Sequence, residues 1–378
     1  MSQRILSTSI FASTLACFVL AGCHSSTPIS PMMRDAPTHA TRHAQNLNGE
    51  QDENEGPQGE DNEEGEEPSP TPTPSPCHLF AYAANFGSNT VTVIDPTTNT
   101  ATATIPVGTQ PIEEAVTPDH SKLYVTNSGS SNVSVIDTSS NSVTTTIPTG
   151  AIPAGVGVSP DGTKAFVSNA GSNTVTVIDT ASNSVIATLA VGSNPIGVRV
   201  TPNNQRIYVA NFLSGTVSVF NNTVFPPALI ATLPAGASPV TVDYTPDNAK
   251  AYVTSRNDGV VTVFNNLTTP PTVLTTIFVG IGAQGVRVTP DGTQAWVAVA
   301  NLGLLQRILT ATNTLLTPVS VGAAPQRIAF NQTGTTAYNT NFNSGTVTVI
   351  NNTLPTPVTT ATVPVGNNPI GMEFKGCP

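Results

Sequence analysis

Phe166-Val-Ser-Asn-Ala-Gly-Ser-Asn-Thr-Val-Thr-Val-Ile-Asp179 reads as two short strands joined by a turn. Apolar and polar residues alternate on both sides of Gly171-Ser-Asn173, and β-branched side chains crowd both runs. That is the pattern of an antiparallel hairpin. The first run, aromatic-Val-x-Asn, recurs as Tyr82-Ala-Ala-Asn85, Tyr124-Val-Thr-Asn127, Tyr208-Val-Ala-Asn211, Tyr252-Val-Thr-Ser255, Trp296-Val-Ala-Val299 and Tyr338-Asn-Thr-Asn341. The aromatic positions are separated by 42, 42, 42, 44, 44 and 42 residues. Repetition at such a period marks an array of supersecondary units.

Each copy divides in the same way. A Gly-Val-x-Val run (Gly155 to Val158, Gly197 to Val200, Gly285 to Val288) ends in a Pro-Asp-Gly type turn at Pro160-Asp-Gly162 or Pro290-Asp-Gly292. The aromatic-Val strand follows, then the Thr-Val-Thr-Val-Ile-Asp strand, then a Val/Thr-rich strand closing in Pro-x-Gly. Four short antiparallel strands at this spacing make one propeller blade. The expected fold is therefore all-β: a seven-bladed β-propeller of four-stranded antiparallel blades.

These repeats resemble the YVTN family of β-propeller repeats, named for the tetrapeptide at Tyr124-Val-Thr-Asn127 and matched further by Pro160-Asp-Gly162 and Asp179. The resemblance covers residues 79–374 and implies a bacterial or archaeal surface or periplasmic protein. It is specific for fold and not for activity, because propellers carry many functions on one architecture. The sixth copy departs from the pattern: Leu302-Gly-Leu-Leu-Gln-Arg-Ile-Leu309 replaces the Val-x-Val-Ile-Asp run, which predicts an irregular strand or a specialised contact there.

Pro369-Ile-Gly-Met-Glu-Phe374 matches the first strand of a repeat, and no aromatic-Val strand follows it. Leu79-Phe-Ala-Tyr82 has no first strand before it. The C-terminal strand is thus expected to close the first blade. Aligned on the repeat, Cys77 and Cys377 both fall at the hairpin turn that this arrangement interrupts, and a Cys77–Cys377 disulfide is expected to restore the link. An oxidising compartment permits it, and a loop of that size gains on the order of 5–6 kcal/mol by the chain-entropy model.

Residues 1–22 read as an export signal: Arg4, then an apolar stretch from Ile5 to Leu20 that is too short and interrupted for a spanning helix. It ends in Leu20-Ala-Gly-Cys23, which resembles the bacterial lipobox and implies lipidation of Cys23, hence a membrane attachment through the lipid. His24 follows, not Asp, so sorting to an outer membrane or cell surface is expected over the inner membrane. Residues 23–76 form an acidic and Pro-rich tether: ten of the eighteen positions from Glu50 to Glu67 are acidic, and Pro68 to Pro76 alternates Pro with Ser or Thr. Such a segment cannot bury enough apolar surface to offset its chain entropy. The net charge of −10 belongs mostly to it, since residues 77–378 carry 12 acids and 10 bases. That near-neutral domain has no electrostatic footprint for nucleic acid.

Catalytic and metal constellations are not legible. Residues 77–378 hold two histidines, His78 and His120, and no His-x-x-x-His or Cys-x-x-Cys spacing, so no metal, cofactor or catalytic residue is assigned. The Asp95, Asp137 and Asp179 turns are expected to be Asx-turns, and the motif aromatics to be inter-blade core. The terminal Asn of each motif is expected to bond turn backbone. One set of positions breaks the repeat. On the first strands, the residues opposite in parity to the valines are small except where they are charged: Arg199, Asp243, Arg287, Arg327 and Glu373, with Glu113. Period 2 places them toward the central channel as a possible ligand site or a structural ion-pair ring.

The expected function is an envelope-anchored binding or display module for a protein or glycan partner, not an enzyme. Two alternatives stand beside it: a passive coat component and a hydrolase of the sugar-lactonase type, since some propellers of similar repeat hydrolyse sugar lactones. The lactonase would show carboxylate, His and Arg together at one channel mouth, of which the Arg/Asp/Glu part is visible in the sequence. For the anchor, Cys23→Ser should move the protein from the membrane fraction to the soluble one. Retention of the variant in the detergent phase would count against lipidation.

Overall fold

A computed structural model describes residues 79–353 and 355–376. Cys23, Cys77 and Cys377, the export signal and the tether lie outside the described residues. The described chain forms 28 strands, β1–β28, in seven four-stranded antiparallel sheets. Blade I combines β28 (Glu373–Lys375), β1 (Phe80–Asn85), β2 (Thr90–Asp95) and β3 (Thr100–Pro106), in that order. The others are runs of four consecutive strands: blade II from β4 (Pro111–Val116) and β5 (Lys122–Asn127) to β7 (Ser142–Pro148), blade III from β8 (Pro153–Val158) to β11 (Ser184–Ala190), blade IV from β12 (Pro195–Val200) to β15 (Ala228–Pro234). Blade V runs from β16 (Pro239–Tyr244) to β19 (Thr272–Phe278), blade VI from β20 (Ala283–Val288) to β23 (Thr314–Ser320), and blade VII from β24 (Pro325–Phe330) to β27 (Val358–Pro364). The inner strands neighbour one another in the circular order β4, β8, β12, β16, β20, β24, β28 and back to β4. The chain is a seven-bladed propeller whose first blade is completed by its last strand.

Burial follows the strand order. The second and third strands of each blade are covered on both faces, and the outer strands are mostly exposed. Seven apolar clusters lie between successive blades. Between blades II and III, Tyr124, Val133, Val135 and Ile147 pack on Val156, Ala165, Val167 and Ile178. At about 1.5–3 kcal/mol for each fully buried large apolar side chain, these interfaces are the main store of stability.

Each position of the tetrapeptide has a distinct contact. The aromatic is buried in the inter-blade core, and its hydroxyl reaches the next blade: Tyr124 donates to Asn183 Oδ1 at 2.7 Å and Tyr82 to Asn141 Oδ1 at 3.1 Å. The third residue bridges inner strands. Thr126 Oγ1 accepts the Glu113 amide at 3.1 Å and donates to the Ala154 carbonyl of blade III at 3.1 Å. The terminal Asn bonds turn backbone at one blade, where Asn211 Oδ1 accepts the Gly192 amide at 3.1 Å, and bonds mainly side chains of the facing strand elsewhere. Asn85 Nδ2 donates to Thr90 Oγ1 and Thr92 Oγ1, and Asn127 and Asn169 repeat the pattern. The acceptors five and seven residues on stand on the facing strand: hydroxyls for Asn85 and Asn169, and Asn132 Oδ1 with Ser134 Oγ for Asn127.

Blade VI supplies the specialised contact. Its third strand, β22 (Leu304–Leu309), is regular along β21 (Gln294–Val299), and the bulge against β23 falls between Leu305 and Arg307. Arg307 is buried over the Trp296 ring, 5.5 Å from its centroid, and donates from Nε to Gln294 Oε1 at 3.0 Å.

Closure is short. β28 pairs with β1 through Phe80/Lys375, Ala81/Phe374 and Tyr82/Glu373, and a bridge joins Asn85 to Pro369. Ile370, Met372 and Phe374 are buried there. Removing residues 369–378 strips away about 5–9 kcal/mol of apolar burial and bares the edge of β1. The melting temperature of the truncated protein should fall by at least about 10 °C. An unchanged melting curve would contradict closure by this strand.

Candidate functional site

The inner strands approach so closely at the axis that several facing positions hold no side chain. A Cβ on Gly155 would stand 2.2 Å from the Ile196 carbonyl oxygen of the next blade, and one on Gly157 would stand 2.7 Å from that of Val198. Charged residues occupy the positions between these glycines. Their side chains pass over the small residues and join blades that are not neighbours.

Three ion pairs result. Arg327 of blade VII places Nε 2.6 Å from Glu113 Oε2 of blade II, with blade I between them. Arg199 of blade IV places Nη2 3.5 Å from Glu113 Oε1, across blade III. Arg287 of blade VI places Nη2 3.1 Å from Glu373 Oε1 of blade I, across blade VII. Asp243 Oδ2 accepts the Val288 amide of blade VI at 2.7 Å. Of the five residues singled out in the sequence, Arg327 and Glu373 are buried, and so is Glu113. Arg199 and Arg287 keep side chains 23% and 24% exposed, and Asp243 is half-buried. The negative charge of Glu373, then of Asp243 and Glu113, holds the Arg287 guanidinium above its ordinary pKa against the cost of burial.

Two residues that the sequence reading left aside belong to this region. His120, in the turn between β4 and β5, is half-buried, and a Cβ on Gly376 would stand 3.4 Å from its Cε1. Its pKa is lowered, chiefly by burial and then by Lys375, against the opposite pull of Asp119 and Glu373. The ring is therefore neutral at pH 7. Glu114 is 1% exposed, with Oε1 accepting the Ala84 amide at 3.2 Å and Oε2 left without a partner. Burial, then the neighbouring Glu113 and Glu373, push its pKa well above the carboxylate range. The available signal was parity: position 114 aligns with Val156, Val198, Val242 and Val286, so an acid there breaks the repeat. With Glu114 protonated, three carboxylates meet three guanidiniums at the axis.

The turn aspartates are engaged by their own loops, as Asx geometry requires. Asp95 Oδ1 accepts the Thr97 amide, Asp137 Oδ1 those of Ser139 and Ser140, and Asp179 Oδ1 that of Ser182. Among the described residues, no cluster of three or more His, Cys, Asp or Glu is arranged to hold a metal ion.

No curated protein matches this chain. The family model of the cytochrome D1 haem domain matches residues 117–238, about a third of the sequence. That stretch spans fewer than three blades and holds one histidine, no cysteine and no methionine. It offers no pair of axial donors, and the glycine contacts at Gly155 and Gly157 leave no gap between inner strands for a macrocycle. These residues do not fit a haem. Among solved structures, hydrazine synthase of Kuenenia stuttgartiensis is 22% identical, with a TM-score of 0.67 over 72% of this chain and 92% of that one. The periplasmic gluconolactonase of Pseudomonas aeruginosa is 20% identical, with a TM-score of 0.67 over 80% of this chain and 99% of that one. A putative 6-phosphogluconolactonase of Bacteroides uniformis is 16% identical, with a TM-score of 0.67 over 79% and 99%. At these identities the likeness is one of fold.

Removing one member of the buried pair leaves the other charge in a confined site. Arg327→Met should lower stability by about 3 kcal/mol in urea unfolding. Adding Glu113→Gln should restore part of that loss, because the carboxylate left with only the longer Arg199 contact is then gone. Additive effects would mean that the two side chains are not coupled.

Proposed function

We propose that the protein is an exported propeller that binds a sugar lactone, or the sugar acid formed from it, at the channel mouth beside Arg199, Arg287 and His120, and hydrolyses the lactone. The observation that carries this reading is Glu373: it pairs with the partly exposed Arg287 at 3.1 Å and also acts electrostatically on His120, whose imidazole is kept neutral by burial. The sequence had led to a binding module ahead of an enzyme. What favours the enzyme is that His120 lies within the electrostatic reach of Glu373, so a histidine can be proposed beside the Arg/Asp/Glu set. Two of the structural neighbours carry lactonase names, which is consistent with this choice.

The chemistry asks little of the site. Water adds to the lactone carbonyl, the ring C–O bond breaks, and the ring oxygen leaves as a hydroxyl after taking a proton. A neutral imidazole can accept the proton of the attacking water and return it to that oxygen. The guanidiniums suit the oxyanion and then the product carboxylate, as preorganised donors where negative charge develops. Glu373 and Glu113 act through the arginines, orienting them. A periplasmic or surface location, with Cys23 as lipid anchor and Cys77–Cys377 as covalent closure, fits a substrate met outside the cytoplasm.

A second reading keeps the ring as a display module. Outer strands of four successive blades expose apolar side chains, including Val185 and Ile186, Leu229 and Ile230, Val273 and Leu274, and Leu315, an arrangement suited to a protein partner. The two readings part on one assay. Purified protein should open a six-membered sugar lactone faster than buffer, followed by proton release. Arg287→Met and His120→Asn should each lower kcat/KM by roughly 100-fold. Hydrolysis no faster than buffer, together with no calorimetric binding of lactone or sugar acid at millimolar concentration, would sink the lactonase reading.

A further inference from the structure

Six of the seven inter-blade cores are filled at one inner-strand position by an aliphatic or thioether side chain: Val156, Val198, Val242, Val286, Ile328 and Met372. In the seventh, between blades I and II, the same position is Glu114. Tyr82, Ala84, Val91 and Val93 of blade I pack there on Leu123, Val125 and Ile136 of blade II. This interface borders the blade that the last strand completes. A carboxyl group therefore stands in apolar core beside the junction where the ring closes.

Its immediate surroundings are specific. In blade II the Thr126 hydroxyl links its own inner strand to the next. Blade I has Ala84 at that place and no hydroxyl to offer. The Glu114 carboxyl takes up the space: Oε1 accepts the Ala84 amide, and a Cβ on Gly371 would fall 1.8 Å from Oε2 and 2.9 Å from the Ile112 carbonyl oxygen. Oε2 is thus lodged against Gly371 of the closing segment. The groups that act on Glu114 are Glu113 from its own strand, Glu373 from β28 and Arg327 from β24. β1 contributes an amide, and β5 faces it in register with Val125. Arg327 is engaged by Glu113, and Glu373 by Arg287, so the positive charge that acts on Glu114 is already shared with Glu113.

We propose that Glu114 is a proton-operated latch on ring closure: protonated, it seals blade I and its closing strand against blade II, and ionised, it loosens that junction. A protonated carboxyl brings no charge into this core and keeps the Ala84 amide satisfied through Oε1. An ionised one is an unpaired buried charge near Glu113 and Glu373, and it is relieved only by letting water into the junction. The inference stands apart from the lactonase reading and does not depend on it.

The sign follows from linkage. An unfolded glutamate titrates near about 4.3, and in the folded ring the proton is held to higher pH. The contribution is full below the unfolded value and is lost as pH rises toward the folded one. The test compares full-length wild type, Glu114→Gln and Glu114→Met by melting temperature from pH 5 to pH 9. Other titrating groups, His120 included, are common to all three and cancel in the differences. The wild type should match Glu114→Gln at pH 5 and fall several degrees below it by pH 9, and Glu114→Met should exceed the wild type most at pH 9. Hydrogen exchange should report the same event locally, with the amides of residues 81–86 and 369–376 losing protection as pH rises in the wild type only, after correction for intrinsic rates. Parallel melting curves for wild type and Glu114→Gln, or equal protection in both, would overturn the latch. If Glu114→Gln fails to fold, the Glu114→Met comparison alone decides.

Discussion

The pairing of β28 with β1 is the contact on which the ring depends. Seven wedges bury their faces only if the last meets the first, and three residue pairs and a bridge make that join. Every inter-blade core draws on it, because an open ring would wet the faces of blades I and VII and free the others to splay. The segment is short in hydrogen bonds and rich in burial, with Ile370, Met372 and Phe374 all inside. Its strength is therefore mainly hydrophobic, and it is open to modulation by a charge placed in the adjoining core.

The axis obeys a second constraint, which follows from the first. Closing seven blades brings the inner strands within glycine distance, so side chains can enter the centre at few positions. Those that do are long and charged, and each reaches past a blade whose own residue is small. The resulting pairs tie blade II to IV and VII, and blade VI to I. Such bonds cost desolvation and add little net stability. They do join non-adjacent blades, and they leave the Arg199 and Arg287 side chains partly exposed.

Much of this was legible beforehand. The tetrapeptide period, the two-residue alternation and the unmatched strand at each end lead directly to seven blades and a C-terminal closure, because strand parity and repeat length are local properties of the chain. The same parity marked Arg199, Asp243, Arg287, Arg327 and Glu373 as facing the axis. It passed over Glu114, one step away on the face assigned to valines, although an acid at that place was itself the signal. His120 stood out only as one of two histidines without metal-ligand spacing, since nothing local relates it to Gly376.

By itself the sequence determined the architecture: blade number, strand order, which face of each inner strand meets its neighbour, and which blade must be closed from the far end. These follow from periodicity, which any stretch of the chain carries. Only the tertiary structure decided who meets whom across the axis. Glu113 and Arg327 stand 214 residues apart, and Arg199 and Arg287 each lie 86 from their partners. No repeat encodes such pairs, because they depend on how closely seven inner strands converge and on which of them carry only hydrogen at the point of approach.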